Sequence, residues 1–176
     1  MSHLAVLKDA QRQNIDHVLI MEDDLTFTNS LIEAQEAVIN KLQTLNWDFA
    51  YLGHGVNLSA AQESPFQEYS GWILLTHFLA IHHKTIPQLI DHLEAMLTRP
   101  SGHPEGGPMH VDGAYSLFRQ QHPHITTLIA NPNLGFQRPS PSNIVGYRWF
   151  DQLPVVSSVL GGARHVKTWY QRNLVS

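Results

Sequence analysis

A short apolar segment followed at once by three acids limits what this chain can fold into. Residues 17–21 read HVLIM and are apolar at every position after His17, and Glu22, Asp23 and Asp24 follow directly. Such a run is typical of a strand that is buried on both faces, as in a parallel sheet. Three adjacent carboxylates repel one another, so either solvent or a bound cation must relieve their charge.

Apolar periodicity predicts that helices and further strands alternate along the 176-residue chain. The predicted helices cover residues 3–13, 30–45, 85–97 and 110–121, and the predicted strands cover residues 17–21, 48–52, 71–82 and 125–130. This order indicates an α/β fold with a mostly parallel sheet in one domain, residues 1–176. In such sheets ligands bind beyond the carboxyl ends of the strands, which is where the three acids lie.

The second helix and the carboxyl-terminal tail carry more specific predictions. Ser30 and Glu33 have the spacing of a capping box at the start of the second helix. Residues 147–176 form a tail with a predicted helix around residues 163–173. This tail is basic and aromatic, so it either contacts a membrane peripherally or docks on the domain as a terminal helix.

Composition excludes several classes of protein and partner. The net charge of −4 and the pI of about 6.3 argue against a nucleic-acid partner, which needs a basic face. The chain has no cysteine, so it has neither disulfides nor a thiolate metal site. The longest apolar run, residues 72–81, is too short to span a bilayer. Because no signal-peptide pattern is present either, we expect a cytoplasmic protein, peripheral to the inner membrane if the tail binds it.

The acids themselves admit more than one chemical interpretation. Carboxylate oxygens suit Mg²⁺ or Mn²⁺, which proteins often hold through one or two carboxylates together with substrate phosphates. A metal-dependent phosphoesterase would also place acids at the end of a strand, although it needs more ligands. The simplest alternative is a solvated loop in which Asp23 or Asp24 only caps a turn.

Residues 2–27, SHLAVLKDAQRQNIDHVLIMEDDLTF, resemble the core of glycosyltransferase family 25, whose members act in the synthesis of lipopolysaccharide and other glycans. In that family a Ser-His pair opens a helix, and an apolar strand that ends in Glu-Asp-Asp follows. Looser similarity continues through THFLAIHHKTIPQLIDHLEAM, HVDGAYSLF and NPNLGFQRPSPSNI, so the resemblance covers roughly residues 2–145 in order.

The resemblance implies a type A glycosyltransferase fold, which is Rossmann-like, and a bacterial hexosyltransferase activity. The donor would be a nucleotide sugar, most often a UDP-sugar, and the acceptor a glycan or lipid-linked saccharide. Mn²⁺ or Mg²⁺ would bind Asp24 and Glu22, with Asp23 assisting at the metal or the donor ribose. Asp112 would be the general base that accepts the proton of the acceptor hydroxyl. The alternative for Asp112 is an acid that stabilises a helix N-terminus.

Four further residues are candidates for binding the donor. Ser2 and His3 would contact its phosphates at a helix N-terminus, with simple capping by Ser2 as the alternative. Gln137 and Ser142 lie in a long loop, where binding residues are over-represented, and turn formation is their alternative role.

Members of the family have a strand and a helix before the Ser-His pair, whereas Met1 directly precedes the pair here. We therefore expect an N-terminally truncated sheet with an exposed edge beside residues 17–21. Self-association through that edge, marginal stability and weak or no transferase activity would follow. The alternative function is a non-catalytic remnant, or a module that binds a sugar nucleotide and needs a partner chain.

Overall fold

The computed structural model describes residues 2–58 and 64–138, with the backbone alone at residue 2, and these residues form an α/β fold as predicted. In chain order the elements are α1 (Ser2–Arg12), β1 (His17–Met21), β2 (Leu25–Phe27), α2 (Asn29–Thr44), β3 (Phe49–Gly53), β4 (Phe66–Glu68), β5 (Phe78–His82), α3 (Ile86–Thr98), α4 (Val111–Gln121), β6 (Thr127–Ala130) and β7 (Gly135–Gln137). The helix predicted around residues 163–173 lies outside the described residues.

The strands form one mixed sheet in the order β1-β5-β3-β6-β4, and β7 pairs with both β3 and β2. β3 runs parallel to β6 and β7, whereas the β1–β5, β3–β5, β4–β6 and β2–β7 pairs are antiparallel. The prediction of a mostly parallel sheet is therefore wrong. Parallel neighbours need a crossover connection, but the described part of the segment between β3 and β5 holds no helix, so β5 enters in the opposite direction.

The sheet has helices on both faces, and each face has its own apolar cluster. On one face α1, α3 and α4 pack against the rings of Phe49 and Tyr51 and the side chain of Ile129. On the other face Val38 of α2 packs with Ala50 and its neighbours. β3 supplies both clusters because successive side chains of a strand point to opposite faces. Within the described ranges, no helix has the length and apolar content needed to cross a membrane.

β1 lies at an edge of the sheet, and β5 is its one strand partner in the described residues. Val18 and Ile20 are buried against the α1 and α3 side, but Leu19 and Met21 are 50% and 54% exposed. The prediction that this strand is buried on both faces is therefore wrong, because α2 covers the middle of the sheet and leaves these side chains open. The exposed edge expected beside residues 17–21 is present in the described part of the chain.

Two local predictions are also corrected. The N-cap of α2 is Thr28, whose hydroxyl accepts from the backbone N–H of Leu31 at 3.4 Å, and not Ser30. Thr28 takes this place because its hydroxyl also donates to the carbonyl of Asn133 at 3.1 Å, which ties the start of α2 to the segment before β7. A strand was predicted over residues 71–82, but only its last part, β5, belongs to the sheet. Residues 71–77 form a loop that is hydrogen-bonded to α4.

Gly53 permits a close approach between three segments at the carboxyl end of β3. A Cβ atom added there would lie 2.5 Å from Nε2 of His77 and 2.9 Å from the carbonyl oxygen of Gly135. A larger residue would push β7 and the start of β5 away from β3, since backbone atoms cannot yield as a flexible side chain can. The glycine therefore lets β7 join the sheet beside the acids that follow β1.

Candidate functional site

The three acids occupy a tight turn between β1 and β2. The backbone N–H of Glu22 donates to the carbonyl of His77 at 2.9 Å, and the N–H of Leu25 donates back to the carbonyl of Glu22 at 3.1 Å. Glu22 and Asp24 are half-buried, and Asp23 is exposed. The turn thus directs two of the three carboxylates into the protein, which a solvated loop would not require.

Glu22 contacts two side chains that stabilise its charged form. Nε2 of His3 lies 3.5 Å from Oε1 of Glu22, and the hydroxyl of Thr76 donates to the same oxygen at 3.2 Å. Hydrogen bonding from His3 is the main cause that lowers the pKa of Glu22 below its usual value, and it outweighs the opposing effect of burial. Glu22 is therefore an anion at neutral pH.

His3 is buried and links Glu22 to α4. Its Nδ1 lies 3.2 Å from the hydroxyl oxygen of Tyr115, and burial raises the pKa of that tyrosine, so the hydroxyl stays protonated. In the neutral tautomer that satisfies both contacts, Nε2 donates to Glu22 and Nδ1 accepts from Tyr115. This chain of contacts fixes the orientation of the Glu22 carboxylate relative to the first turns of α4.

Asp24 and Gln137 meet although they are 113 positions apart in the sequence. Nε2 of Gln137 donates to Oδ2 of Asp24 at 2.7 Å and lies 3.5 Å from Oε2 of Glu22. The pairing of β2 with β7, in which Leu25 is opposite Gln137, brings the amide there. The N–H of Arg138 also donates to the carbonyl of Asp24 at 2.8 Å.

The carboxylates of Glu22 and Asp24 have the chemistry that a hard divalent cation requires of its ligands. Oδ1 of Asp24 is buried and has no hydrogen-bond partner in the described residues, and the Glu22 and Asp24 carboxylates converge on one amide. Carboxylate oxygens are ligands that Mg²⁺ and Mn²⁺ accept. Among residues 2–58 and 64–138 no three His, Asp or Glu side chains are grouped to hold a metal. An ion held by Glu22 and Asp24 would therefore complete its coordination with phosphate oxygens or water.

Asp112 lies in the first turn of α4, close to the same edge of the sheet. Its Oδ1 accepts from the N–H of Gly113 at 2.7 Å and its Oδ2 from the N–H of Leu75 at 3.3 Å. Leu75 has a φ of 73° and directly precedes Thr76, whose hydroxyl binds Glu22. Two adjacent loop residues thus hold Asp112 and Glu22, and the structure brings both acids to one region.

Two histidines that the sequence interpretation did not single out lie behind the acids. His77 is 1% exposed, with Nε2 3.3 Å from the carbonyl of Gly135 and Nδ1 without a partner in the described residues. His54 is 5% exposed, and its Nε2 lies 2.8 Å from the carbonyl of Ala130. His54 follows the strand predicted over residues 48–52, and that position is the sequence signal that could have found it, whereas His77 falls inside the strand predicted over residues 71–82 and precedes the observed β5.

Not every predicted residue joins this group. Asp23 is exposed, and it contributes its carbonyl to the guanidinium of Arg138 at 2.9 Å. His110, whose imidazole could in principle bind a metal, is the N-cap residue of α4 and is exposed. Ser142 and the side chain of Ser2 lie outside the described part of the chain. His3, Glu22, Asp24, Asp112 and Gln137 are the predicted residues that the fold gathers.

No protein-family model matches the chain, and the search of curated proteins finds no match either. The resemblance to glycosyltransferase family 25 therefore rests on the sequence motifs alone.

The buried histidines make the stability of the fold depend on pH. Burial is the main cause that lowers the pKa values of His54, His77 and His92 below the ordinary value of 6.5. The unfolded chain consequently binds more protons than the folded chain once the pH falls below about 6.5. We expect the free energy of unfolding in urea to be highest above that pH and to fall between pH 6.5 and pH 5.

The expected slope in that range is up to about 1.4 kcal/mol per pH unit for each histidine that stays neutral in the fold. His54→Gln keeps an N–H donor for the carbonyl of Ala130 and removes one titrating group. The variant should therefore show a shallower slope than the wild type between pH 5 and pH 6.5. Identical slopes for the two proteins would contradict this account of His54.

Proposed function

We propose that the chain is a glycosyltransferase with a type A fold, which moves a sugar from a nucleotide-sugar donor to a hydroxyl of a glycan. The observation that carries the proposal is the meeting of Gln137 with both Glu22 and Asp24. Glu22 and Asp24 are the acids to which the family resemblance assigns the metal, and Gln137 is a donor-binding candidate because of its place in the late loop. Their contact at one edge of the sheet is what a shared donor site would require.

On the donor side, a divalent cation would be held by Asp24 and Glu22. When bound, it would neutralise the negative charge that develops on the diphosphate leaving group. His3 keeps the Glu22 carboxylate charged and oriented, and Gln137 fixes Asp24. Asp23 faces solvent at the same turn, where it is available to a hydroxyl of the donor ribose.

On the acceptor side, Asp112 would act as the general base. As the acceptor oxygen bonds to the anomeric carbon, its proton passes to the Asp112 carboxylate, and the bond from that carbon to the diphosphate oxygen breaks. Each Asp112 oxygen accepts one backbone N–H, which leaves a further lone pair on each for the acceptor hydroxyl. The fixed carboxylate supplies the positioned base that proton abstraction needs.

The wider assignment belongs to the same proposal. A UDP-sugar donor, a lipopolysaccharide or other lipid-linked saccharide acceptor, and a cytoplasmic location peripheral to the inner membrane are what the family resemblance supports. One observation favours a second candidate, a binding module that works with a partner chain. β1 presents its outer edge together with the exposed side chains of Leu19 and Met21, and such an edge suits pairing with another strand.

Calorimetric titration of Mn²⁺ into the full chain, with and without UDP, tests the proposal. The wild type should bind Mn²⁺ much more tightly when UDP is present, because the diphosphate supplies ligands that the protein lacks. Asp24→Asn should weaken this binding by at least about tenfold, since even residues that only orient metal ligands have effects of 10–100-fold. Release of UDP from UDP-sugars then separates a transferase from a module that binds without turnover.

Asp16→Asn is the matched control for this titration. Asp16 directly precedes β1, whereas Asp24 follows it, and its side chain is 84% exposed. The same chemical change at the opposite end of the strand should leave Mn²⁺ and UDP binding at the wild-type level. If Asp24→Asn and the wild type bind Mn²⁺ with equal affinity in the presence of UDP, Asp24 is not a metal ligand and the proposed donor site is wrong.

A further inference from the structure

An exposed tryptophan lies beside the proposed general base, on the loop that leads into β5. The side chain of Trp72 is 42% exposed, whereas the next residue, Ile73, is fully buried. A large aromatic ring that stays partly in solvent while the adjacent Ile73 is buried loses part of the benefit of apolar burial. Its exposure is informative because the loop around it is firmly held.

Three contacts with α4 fix the position of this loop. The hydroxyl of Ser116 donates to the carbonyl of Ile73 at 2.6 Å and accepts from its N–H at 3.0 Å. The guanidinium of Arg119 donates to the carbonyl of Gly71 at 3.2 Å, and the N–H of Leu75 binds Asp112. The residues on both sides of Trp72 are thus bound, and the indole is presented by a backbone with little freedom.

The indole and a methionine flank the helix backbone immediately after Asp112. A Cβ atom on Gly113 would lie 3.8 Å from Cζ2 of Trp72 and 3.1 Å from Sδ of Met109. Met109 is 47% exposed. Because residue 113 has no side chain, the ring and the sulfur both pack close to the helix backbone, within one residue of Asp112.

We propose that Trp72 is the platform on which a sugar ring of the acceptor packs, with Met109 at its side. One face of a hexose ring carries C–H groups with partial positive charge, and these fit the negative face of an aromatic ring. A hydroxyl of the same sugar then donates to Asp112. This inference rests on the proposed transferase function and assigns it a residue that determines how the acceptor is positioned.

Fluorine NMR of the full chain labelled with 5-fluorotryptophan tests the platform directly. The chain has 4 tryptophans, and the spectrum of Trp72→Phe assigns the signal of residue 72. The probes are the methyl glycosides of galactose, glucose and N-acetylglucosamine. We expect the Trp72 signal to shift with at least one of them while the other tryptophan signals stay in place.

The affinities from the same titrations distinguish a contribution of the Trp72 ring from a contribution of the loop that carries it. Trp72→Ala should bind the responding glycoside about tenfold more weakly, and Trp72→Phe should retain most of the affinity because it keeps an aromatic face. The matched control is Leu74→Ala, a residue of the same loop that is 53% exposed, and it should bind like the wild type. None of the three changes should alter UDP–Mn²⁺ binding, which also shows that the variants are folded.

The outcomes distinguish this inference from the function on which it rests. A Trp72 signal that no glycoside moves, or equal affinities for Trp72→Ala and the wild type, would overturn the platform while UDP–Mn²⁺ binding stands. If the Trp72 signal shifts with a glycoside but the chain does not bind UDP–Mn²⁺, the saccharide site stands and the proposed transferase function is overturned.

Discussion

Replacing Asp112 by asparagine is expected to lower kcat by about 10²–10⁴-fold and to leave the Kd for UDP–Mn²⁺ near the wild-type value. Asparagine has nearly the shape of aspartate and keeps an oxygen that can accept a backbone N–H, but it cannot take the proton of the acceptor hydroxyl. Asp112 binds Leu75 and Gly113, and no contact of the described structure joins it to Glu22 or Asp24 directly. The affinity for UDP and Mn²⁺ should therefore be unchanged in Asp112→Asn.

The measurement is the release of UDP from a UDP-sugar in the presence of an acceptor, together with calorimetry of UDP–Mn²⁺ binding. Asp91→Asn is the control, because Asp91 is exposed on α3. It should turn over like the wild type. Near-normal turnover by Asp112→Asn would mean that Asp112 is only an acid favoured at the N-terminus of α4.

The sequence predicted the longer elements well because their patterns are local. The helix predicted over residues 85–97, from an apolar stripe and a Pro in its first turn, is observed as Ile86–Thr98. The five residues of β1 were also placed correctly. Whether a strand is buried on one face or two depends on what packs above it, and a run such as HVLIM is apolar in both cases.

The short strands could not be predicted in the same way. β2, β4 and β7 have three residues each, which is too short for any alternation to be visible. They form because distant segments pair, as Phe66 does with Ala130 and Leu25 with Gln137. Strand direction is likewise set by the connections, and the connection from β3 to β5, whose described part holds no helix, brings β5 in antiparallel.

In the candidate site, too, local features could be predicted from the sequence and long-range contacts could not. The position of the acids after a strand was a local signal, and it correctly marked the edge where other polar residues gather. The contacts of Glu22 with His3 and of Asp24 with Gln137 were not predicted, since nothing local connects such distant residues. The burial of His77 had no local signal either, because it arises from the close approach at Gly53 and Gly135.

The helix that holds Asp112 depends on one aromatic side chain of the sheet. Phe49 is fully buried in β3, and its ring centroid lies 6.1 Å from each of the rings of Tyr115 and Phe118 of α4. The same ring lies 6.4 Å from that of Tyr51 on its own strand. Phe49 therefore fills the space between the central strand and the helix.

Phe49→Ala is expected to lower the free energy of unfolding by about 3–5 kcal/mol, because it removes apolar burial and leaves a cavity that the sheet cannot close. Urea denaturation at pH 7.5 measures the loss. Phe27→Ala is the control, since Phe27 is 44% exposed on β2, and it should cost about 1 kcal/mol or less. Domains are typically stable by about 5–15 kcal/mol, so the Phe49 variant should lose a large share of its stability. Equal losses for the two variants would mean that Phe49 does not hold α4 on the sheet, and the fixed position argued for Asp112 would lose its support.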